Sequence, residues 1–151
     1  MGLIKPNEGF LENIRRLADK YSVLLIFDEV INGFRVHAGT YGSLCGVTPD
    51  ITTFGKIIGG GLPIGAIGGK KAIMEYLAPV GPVYQSGTLC GNPLALSVGK
   101  KTVEILINQS PYEKMEALGK KIANEINQIA KEKELSLHCP QIGSMFTPFF
   151  R

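Results

Sequence analysis

The chain has 151 residues, of which 44% are hydrophobic and 19% charged, as in an ordinary folded globular protein. Its net charge of +3 is spread over mixed Glu–Lys stretches, so composition does not support a nucleic-acid-binding surface. The three cysteines are widely spaced, which argues against a zinc site and favours a reducing compartment. The first residues lack the apolar core of a signal peptide, and the uncharged span 57–69 is too short and glycine-rich to cross a bilayer. We therefore expect a soluble protein without a resident metal or a membrane partner.

The N-terminal residues predict a helix followed by a buried strand. Between residues 10 and 21 the apolar side chains recur at helical spacing. The apolar run 23–27 ends at Asp28 and Glu29, a pattern typical of a parallel strand buried on both faces, with carboxylates at its carboxyl end. Helix followed by parallel strand indicates a doubly wound α/β sheet. The glycine-rich segment 33–46, which carries Arg35 and His37, is predicted to be a functional loop.

A second strand is predicted at 50–54, which places Lys56 just past its carboxyl end. A third strand is expected at 64–69, and a short helix at 70–78 that Pro79 closes. Lys56 lies between an apolar segment and a glycine run, where desolvation would disfavour its ammonium form and leave a nucleophilic amine. The glycines would let the backbone approach a bulky planar group. The alternative is a lysine that simply extends from a glycine-rich loop into solvent.

Asp28 and Lys56 together suggest one kind of cofactor. Open α/β sheets bind ligands at the carboxyl ends of their strands, where both residues are predicted to lie. Pyridoxal phosphate (PLP) needs an amine that captures its aldehyde, and a carboxylate that keeps its ring nitrogen protonated so that the ring accepts electrons.

The C-terminal part predicts two helices and a second unit. Asn92 and Pro93 provide an N-cap and a first-turn proline for a helix that continues to about Leu106, and Thr88 lies in the preceding loop, where it could meet a phosphate. Pro111 opens a charged helix, and strands are expected at 135–139 and 143–150. The apolar stripe of that helix is predicted to pack on a small α+β domain, and its members are Met115, Leu118, Ile122, Ile126 and Ile129.

These residues resemble a known family, the class-III aminotransferases among the fold-type I PLP enzymes. The resemblance rests on Phe27-Asp28-Glu29-Val30 with Gly33-Phe34-Arg35, on the segment 46–50, and on the segment 55–61. Within that family, the block from Gly81 to Pro93 is similar to that of the glutamate-1-semialdehyde 2,1-aminomutases. The resemblance implies that residues 1–109 are part of the large PLP-binding domain, a mostly parallel sheet with flanking helices. Residues 110–151 would begin the small α+β C-terminal domain, and we expect the chain to be a fragment of a longer protein.

By resemblance, Lys56 is the Schiff-base lysine and Asp28 pairs with the pyridine nitrogen, and both are implied to be catalytic. Val30 would pack against the cofactor ring. Thr88 is similar to the threonine that binds the cofactor phosphate of a neighbouring subunit, in a loop that Tyr84 and Gly87 line. Cys90 stands where the family usually has serine. Glu29 is either a neighbour of the site or a structural hydrogen-bond acceptor.

The implied activity is the intramolecular transfer of an amino group that converts glutamate 1-semialdehyde to 5-aminolevulinate in tetrapyrrole biosynthesis, with PLP or pyridoxamine phosphate as cofactor. The resemblance also implies a homodimer with shared sites, located in the cytoplasm, or in the plastid stroma of a photosynthetic eukaryote. Two alternatives stay open: a class-III ω-aminotransferase, and a catalytically silent truncated fragment. The family's phosphate cup, ring-stacking aromatic residue and mobile loop are not found in the sequence. The strands and helices that should flank the sheet are also missing, so we expect the parallel strands to be partly bare, and the chain alone to bind PLP weakly and to lack turnover.

Overall fold

The computed structural model describes residues 2–150, which form five α-helices, seven short strands and one 3-10 helix. Their bounds, in chain order, are α1 Phe10–Lys20, β1 Ile26–Asp28, α2 Tyr41–Cys45, β2 Ile51–Phe54, the 3-10 helix Lys56–Gly59, β3 Ala66–Gly69, α3 Lys71–Met74, α4 Pro93–Gln109, α5 Tyr112–Glu132, β4 Leu137–His138, β5 Gln141–Ile142, β6 Met145–Phe146 and β7 Phe149–Phe150. In this part of the chain, no helix is both long enough and apolar enough to span a membrane.

The central sheet has the strand order β1-β2-β3. β1 and β2 are parallel, with Asp28 opposite Thr53, and β3 returns antiparallel to β2, with Ala66 opposite Phe54. Because β1 and β2 run the same way, their carboxyl ends lie at one edge of the sheet. The predicted α/β fold is therefore confirmed, and the sheet is mixed.

Asp50 connects the elements that surround this sheet. Its buried carboxylate accepts hydrogen bonds from the backbone N–H of Leu25 (2.7 Å) and from Arg15 Nη1 (2.8 Å), and it also pairs with Lys70. The hydrogen bond from the Leu25 N–H is the main reason why the pKa of the Asp50 carboxyl lies well below its usual range. The Lys70 and Arg15 side chains lower this pKa further. One side chain therefore joins α1 to the starts of β1 and β2 and to the end of β3.

The strand predicted at 23–27 is observed as β1 and is partly exposed: Ile26 is 54% exposed, and Val23 and Leu24, which precede β1, are 58% and 56% exposed. Two other sequence-based expectations for the first half were wrong. The predicted loop at 33–46 contains the helix α2, which Thr40 caps by accepting a hydrogen bond from the Ser43 N–H (2.9 Å). The helix expected over 70–78 is the single turn α3.

The start of α4 confirms the predicted cap. The Asn92 side chain accepts a hydrogen bond from the Ala95 N–H at 2.9 Å, and Pro93 occupies the first turn. Both features satisfy or remove backbone N–H groups that a helix N-terminus leaves without partners. The helix extends to Gln109, slightly beyond the predicted end.

The C-terminal residues form a helix packed on two small strand pairs, β4 with β7 and β5 with β6, all antiparallel. The predicted packing stripe was wrong in its main members, since Leu118, Ile122 and Ile129 are exposed. The buried face of α5 consists of small residues, namely Gly119, Ala123 and Ala130. The C-terminal strands lie very close to this face of α5, because a β-carbon built on Gly119 would lie 2.9 Å from the carbonyl oxygen of Gly143. The division at residue 109 stays a prediction.

Candidate active site

Asp28 and Lys56 lie at the same edge of the sheet, as the sequence predicted. Asp28 is the last residue of β1, and Lys56 follows the last residue of the parallel neighbour β2 after one glycine. Asp28 Oδ1 accepts hydrogen bonds from Thr53 Oγ1 and from the Val30 N–H, both at 3.1 Å. Within residues 2–150, Asp28 Oδ2 has no hydrogen-bond partner. The carboxylate is thus oriented by the protein through one oxygen and presents the other to solvent.

Lys56 is exposed, so the expected desolvation of its amine was wrong for the chain by itself. Its backbone φ of 47° lies in the left-handed region, which residues with a β-carbon seldom adopt. Unusual backbone of this kind concentrates at functional sites. Among the described residues, Lys56 takes part in no side-chain hydrogen bond or ion pair. Its primary amine is therefore available to a ligand.

The loop after β1 packs against the turn that carries Lys56. A β-carbon built on Gly55 would lie 3.2 Å from Val30 Cγ1, so the Val30 side chain borders the residue that precedes Lys56. The ring of Phe34 contacts the ring of Phe54, with centroids 6.1 Å apart. Val30 therefore borders the turn that carries Lys56, and Asp28 ends the neighbouring strand; their joint contact with a cofactor stays a prediction.

Glu29 has a structural role. Its side chain is fully buried and accepts hydrogen bonds from the backbone N–H groups of Tyr41 and Gly42, the latter at 3.0 Å. These N–H groups belong to the first turn of α2, where a carboxylate also interacts favourably with the helix dipole. Glu29 therefore ties α2 to the end of β1 and faces away from solvent, which favours the structural alternative.

The predicted phosphate-binding loop is exposed throughout. Tyr84 is 78% exposed, Gly87 and Thr88 are also exposed, and Thr88 lies in the turn before α4. Within residues 2–150, no hydrogen bond joins these three residues to Asp28 or Lys56. Their contact with a cofactor phosphate stays a prediction, and it concerns a neighbouring subunit.

The glycine run after Lys56 serves helix packing, a role that the sequence reading missed. Gly60 has a left-handed φ of 59°, and a β-carbon there would overlap Thr102 Oγ1 and lie 2.9 Å from Val98 Cγ1 on α4. The left-handed φ and the approach of α4 both require glycine at position 60, and the approach of a planar ligand to the glycine run stays a prediction. One feature of the sequence could have indicated this packing. Gly99 is a glycine inside a predicted helix, where alanine would be the better helix former, so a close contact is the expected reason for it.

A cavity of about 790 Å³ lies near the loop that follows Asp28 but includes neither Asp28 nor Lys56. Its walls are mainly apolar and come from the N-terminal segment, the loop after β1 and the C-terminal strands; among them are Leu3, Phe10, Ile31, Tyr41, Ile142 and Met145.

Comparison with known proteins assigns the family. Residues 1–148 match the family described as "Aminotransferase class-III". This chain belongs to that family. It is 51% identical over 150 residues to a glutamate-1-semialdehyde 2,1-aminomutase from Nitratidesulfovibrio vulgaris and 48% identical to one from Sulfurihydrogenibium azorense. Each match covers 99% of this chain but 35% of the relative, so the chain spans about a third of the length of these relatives.

Solved structures show the same relationship. An ω-transaminase from Sphaerobacter thermophilus superimposes with a TM-score of 0.89 at 32% identity, covering 99% of this chain and 34% of that one. A glutamate-1-semialdehyde aminomutase from Pseudomonas aeruginosa PAO1, in complex with PMP, gives a TM-score of 0.85 at 27% identity, with 99% and 35% covered. Both comparisons confirm that the fold is that of fold-type I PLP enzymes.

Proposed function

We propose that this chain forms part of a PLP-dependent glutamate-1-semialdehyde 2,1-aminomutase, which converts glutamate 1-semialdehyde to 5-aminolevulinate. The observation that carries the proposal is the register of β1 and β2, which places the Asp28 carboxylate and the Lys56 amine at one sheet edge. The relatives at 47–51% identity, all named as this aminomutase, support the choice of reaction.

The donor groups fit PLP. When bound, PLP supplies an electron sink that stabilises charge at the carbon atoms next to the transferred nitrogen. Asp28 would face the ring nitrogen through its free Oδ2 and hold a proton there, while Thr53 and Val30 fix the carboxylate through Oδ1. Val30 would border one face of the ring, because its side chain already lies beside Gly55.

Lys56 would have two roles. Its primary amine is the nucleophile that binds the cofactor aldehyde, and it would also move protons at the two adjacent substrate carbons between which the amino group migrates. Both roles require an amine that no other side chain engages, which is the state of Lys56 within the described residues.

Dimerisation and location complete the proposal. We assign Thr88, with Tyr84 and Gly87, to the phosphate of a cofactor held by a second subunit, because this loop is exposed and precedes a capped helix N-terminus. The free state of Cys45, Cys90 and Cys139 supports a reducing compartment, the cytoplasm.

The second candidate is a class-III ω-aminotransferase, which the fit to the Sphaerobacter thermophilus enzyme favours. It would use Asp28 and Lys56 in the same way but would transfer the amine between two substrates. The higher identity to the aminomutases over the same residues favours the main proposal.

A chimera tests the proposal. In the Nitratidesulfovibrio vulgaris relative, the matching 150-residue segment is replaced by that of this chain, and the product is purified from a host without its own aminomutase. We expect the chimera to form 5-aminolevulinate without an added amino donor or acceptor. Lys56→Ala should abolish turnover, whereas Lys71→Ala, which removes an exposed lysine side chain, should retain it.

Two outcomes would contradict the proposal. Turnover that requires a separate amino donor would support the ω-aminotransferase. Borohydride reduction in the presence of PLP, followed by peptide mapping, should label Lys56, and a label found on Lys70 or Lys71 instead would refute the assignment of the amine.

A further inference from the structure

Helix α4 packs directly on the 3-10 helix that begins at Lys56, and Gly99 lies where the two backbones approach each other. A β-carbon built on Gly99 would lie 2.7 Å from the carbonyl oxygen of Ile58 and 2.8 Å from Ile64 Cδ1. Side-chain β-carbons in folded proteins do not lie so close to an oxygen or to another carbon atom, so any side chain at this position must push the two helices apart.

The contact at Gly99 is connected to Lys56 through a single 3-10 turn. Ile58 is in the same 3-10 turn as Lys56, and the Ile58 N–H donates a hydrogen bond to the Gly55 carbonyl at 3.3 Å. Gly60, at the other end of the turn, meets Val98 and Thr102 of the same helix. The turn that carries Lys56 is therefore held from one side by α4, with Gly99 at the point where backbone meets backbone.

We propose that Gly99 is a positioning residue for the Lys56 amine, which it sets through the Ile58 carbonyl; this inference rests on the proposed function. A methyl group at position 99 would displace the turn by several tenths of an ångström, because a backbone carbonyl cannot move aside as a flexible side chain can. Misplacing a reacting group by about an ångström can lower a rate on the order of 100-fold. Alanine is meanwhile the better helix former, so helix propensity alone would not harm the variant.

The chain offers a matched control. Gly119 of α5 is likewise a buried helical glycine whose β-carbon would meet a backbone carbonyl, that of Gly143, at 2.9 Å. Gly119→Ala therefore imposes a similar steric change on α5, which packs mainly on the C-terminal strands β4, β5 and β6 and not, like α4, on the Lys56 turn. It separates a general packing defect from a specific effect on Lys56.

The experiment compares Gly99→Ala and Gly119→Ala in the full-length chimera. For Gly99→Ala we expect kcat to fall on the order of 10- to 100-fold with KM changed by less than about 3-fold, because positioning limits the chemical steps more than substrate binding. Gly119→Ala should keep kcat within about 3-fold of the parent, as expected for a residue outside the site. Melting temperatures and gel filtration establish that both variants fold.

A second readout does not need turnover. The extent of PLP–borohydride labelling at Lys56, measured relative to Lys71 in the same molecule, should fall several-fold in Gly99→Ala and not in Gly119→Ala. If the parent chimera were inactive, the proposed function would fail, and this ratio would still decide the role of Gly99. If Gly99→Ala did not fold, Thr102→Ala would loosen the neighbouring contact of α4 with Gly60, at the other end of the same turn, without added bulk and should lower the ratio. Equal kcat losses in the two glycine variants, or an unchanged labelling ratio, would overturn the inference.

Discussion

Replacing Asp50 should destabilise the chain more than replacing any exposed aspartate. In Asp50→Asn, one oxygen can still accept a hydrogen bond, but the charge that Arg15 and Lys70 share is lost, and an amide N–H2 takes the place of one acceptor oxygen. A buried hydrogen bond to a charged group contributes about 1.5–3 kcal/mol. The ion pair between Asp50 and Lys70 adds little to the stability, because the Lys70 side chain is exposed and water screens its charge. We therefore expect the free energy of unfolding to fall by about 2 kcal/mol at pH 7.

The hydrogen bonds and ion pairs of Asp50 also predict that the stability of the chain depends on pH. The folded-state pKa of Asp50 is depressed, so its stabilising contribution is fully present above the unfolded-state pKa of about 3.9 and is lost as the pH falls toward the folded value. Each pH unit below the unfolded pKa removes about 1.4 kcal/mol from the difference between the parent and Asp50→Asn. The difference should accordingly shrink by about 1 kcal/mol between pH 6 and pH 3.

Urea unfolding of the 151-residue chain, followed by circular dichroism at both pH values, measures these quantities. Asp28→Asn is the matched control, because Asp28 is exposed and should change stability by less than about 0.5 kcal/mol. Equal stability of the two variants at pH 7, or an unchanged loss in Asp50→Asn at pH 3, would contradict this role of the Asp50 carboxylate.

Three further predictions concern the site and its support. In the chimera, Asp28→Asn should lower kcat by at least about 100-fold while leaving the melting temperature nearly unchanged, because asparagine keeps the oxygen that Thr53 and Val30 contact but loses the charge; parallel losses in both would indicate a structural carboxylate. Glu29→Gln should reduce the free energy of unfolding by about 2 kcal/mol in urea titrations, because one of the α2 N–H groups would face an amide N–H2; an unchanged midpoint would contradict this role. The 151-residue chain alone should show weak PLP absorbance changes and no conversion of glutamate 1-semialdehyde, and measurable conversion by the purified chain would show that Asp28, Lys56 and Thr88 suffice.

Much of the site was predictable because it depends on short-range signals. An apolar run that ends in Asp28, and a second run that ends just before Lys56, define the two strand ends, and parallel pairing then brings the ends together. The Asn92–Pro93 cap of α4 is equally local. The partial exposure of β1 could not be read from its own apolar residues, because burial of a strand depends on the elements that flank it.

The roles of the glycines were unpredictable for a related reason. Gly60 and Gly99 are far apart in sequence, and only the folded chain shows that both allow α4 to approach the Lys56 turn. Likewise, α5 packs through Gly119 and not through Leu118, because the strands approach so closely that only small residues fit. Hydrophobic periodicity identifies an apolar face, but it does not report the distance at which the partner lies.

The left-handed backbone at Lys56 has a consequence for how this sequence evolves. A residue with a β-carbon costs roughly 1 kcal/mol in that conformation, a cost that glycine avoids. Selection for stability alone would therefore replace the lysine by one more glycine in a segment already rich in them. Under the proposed function, the need for the amine keeps lysine at position 56 despite this cost, and copies of this sequence freed from that need would be expected to lose it early.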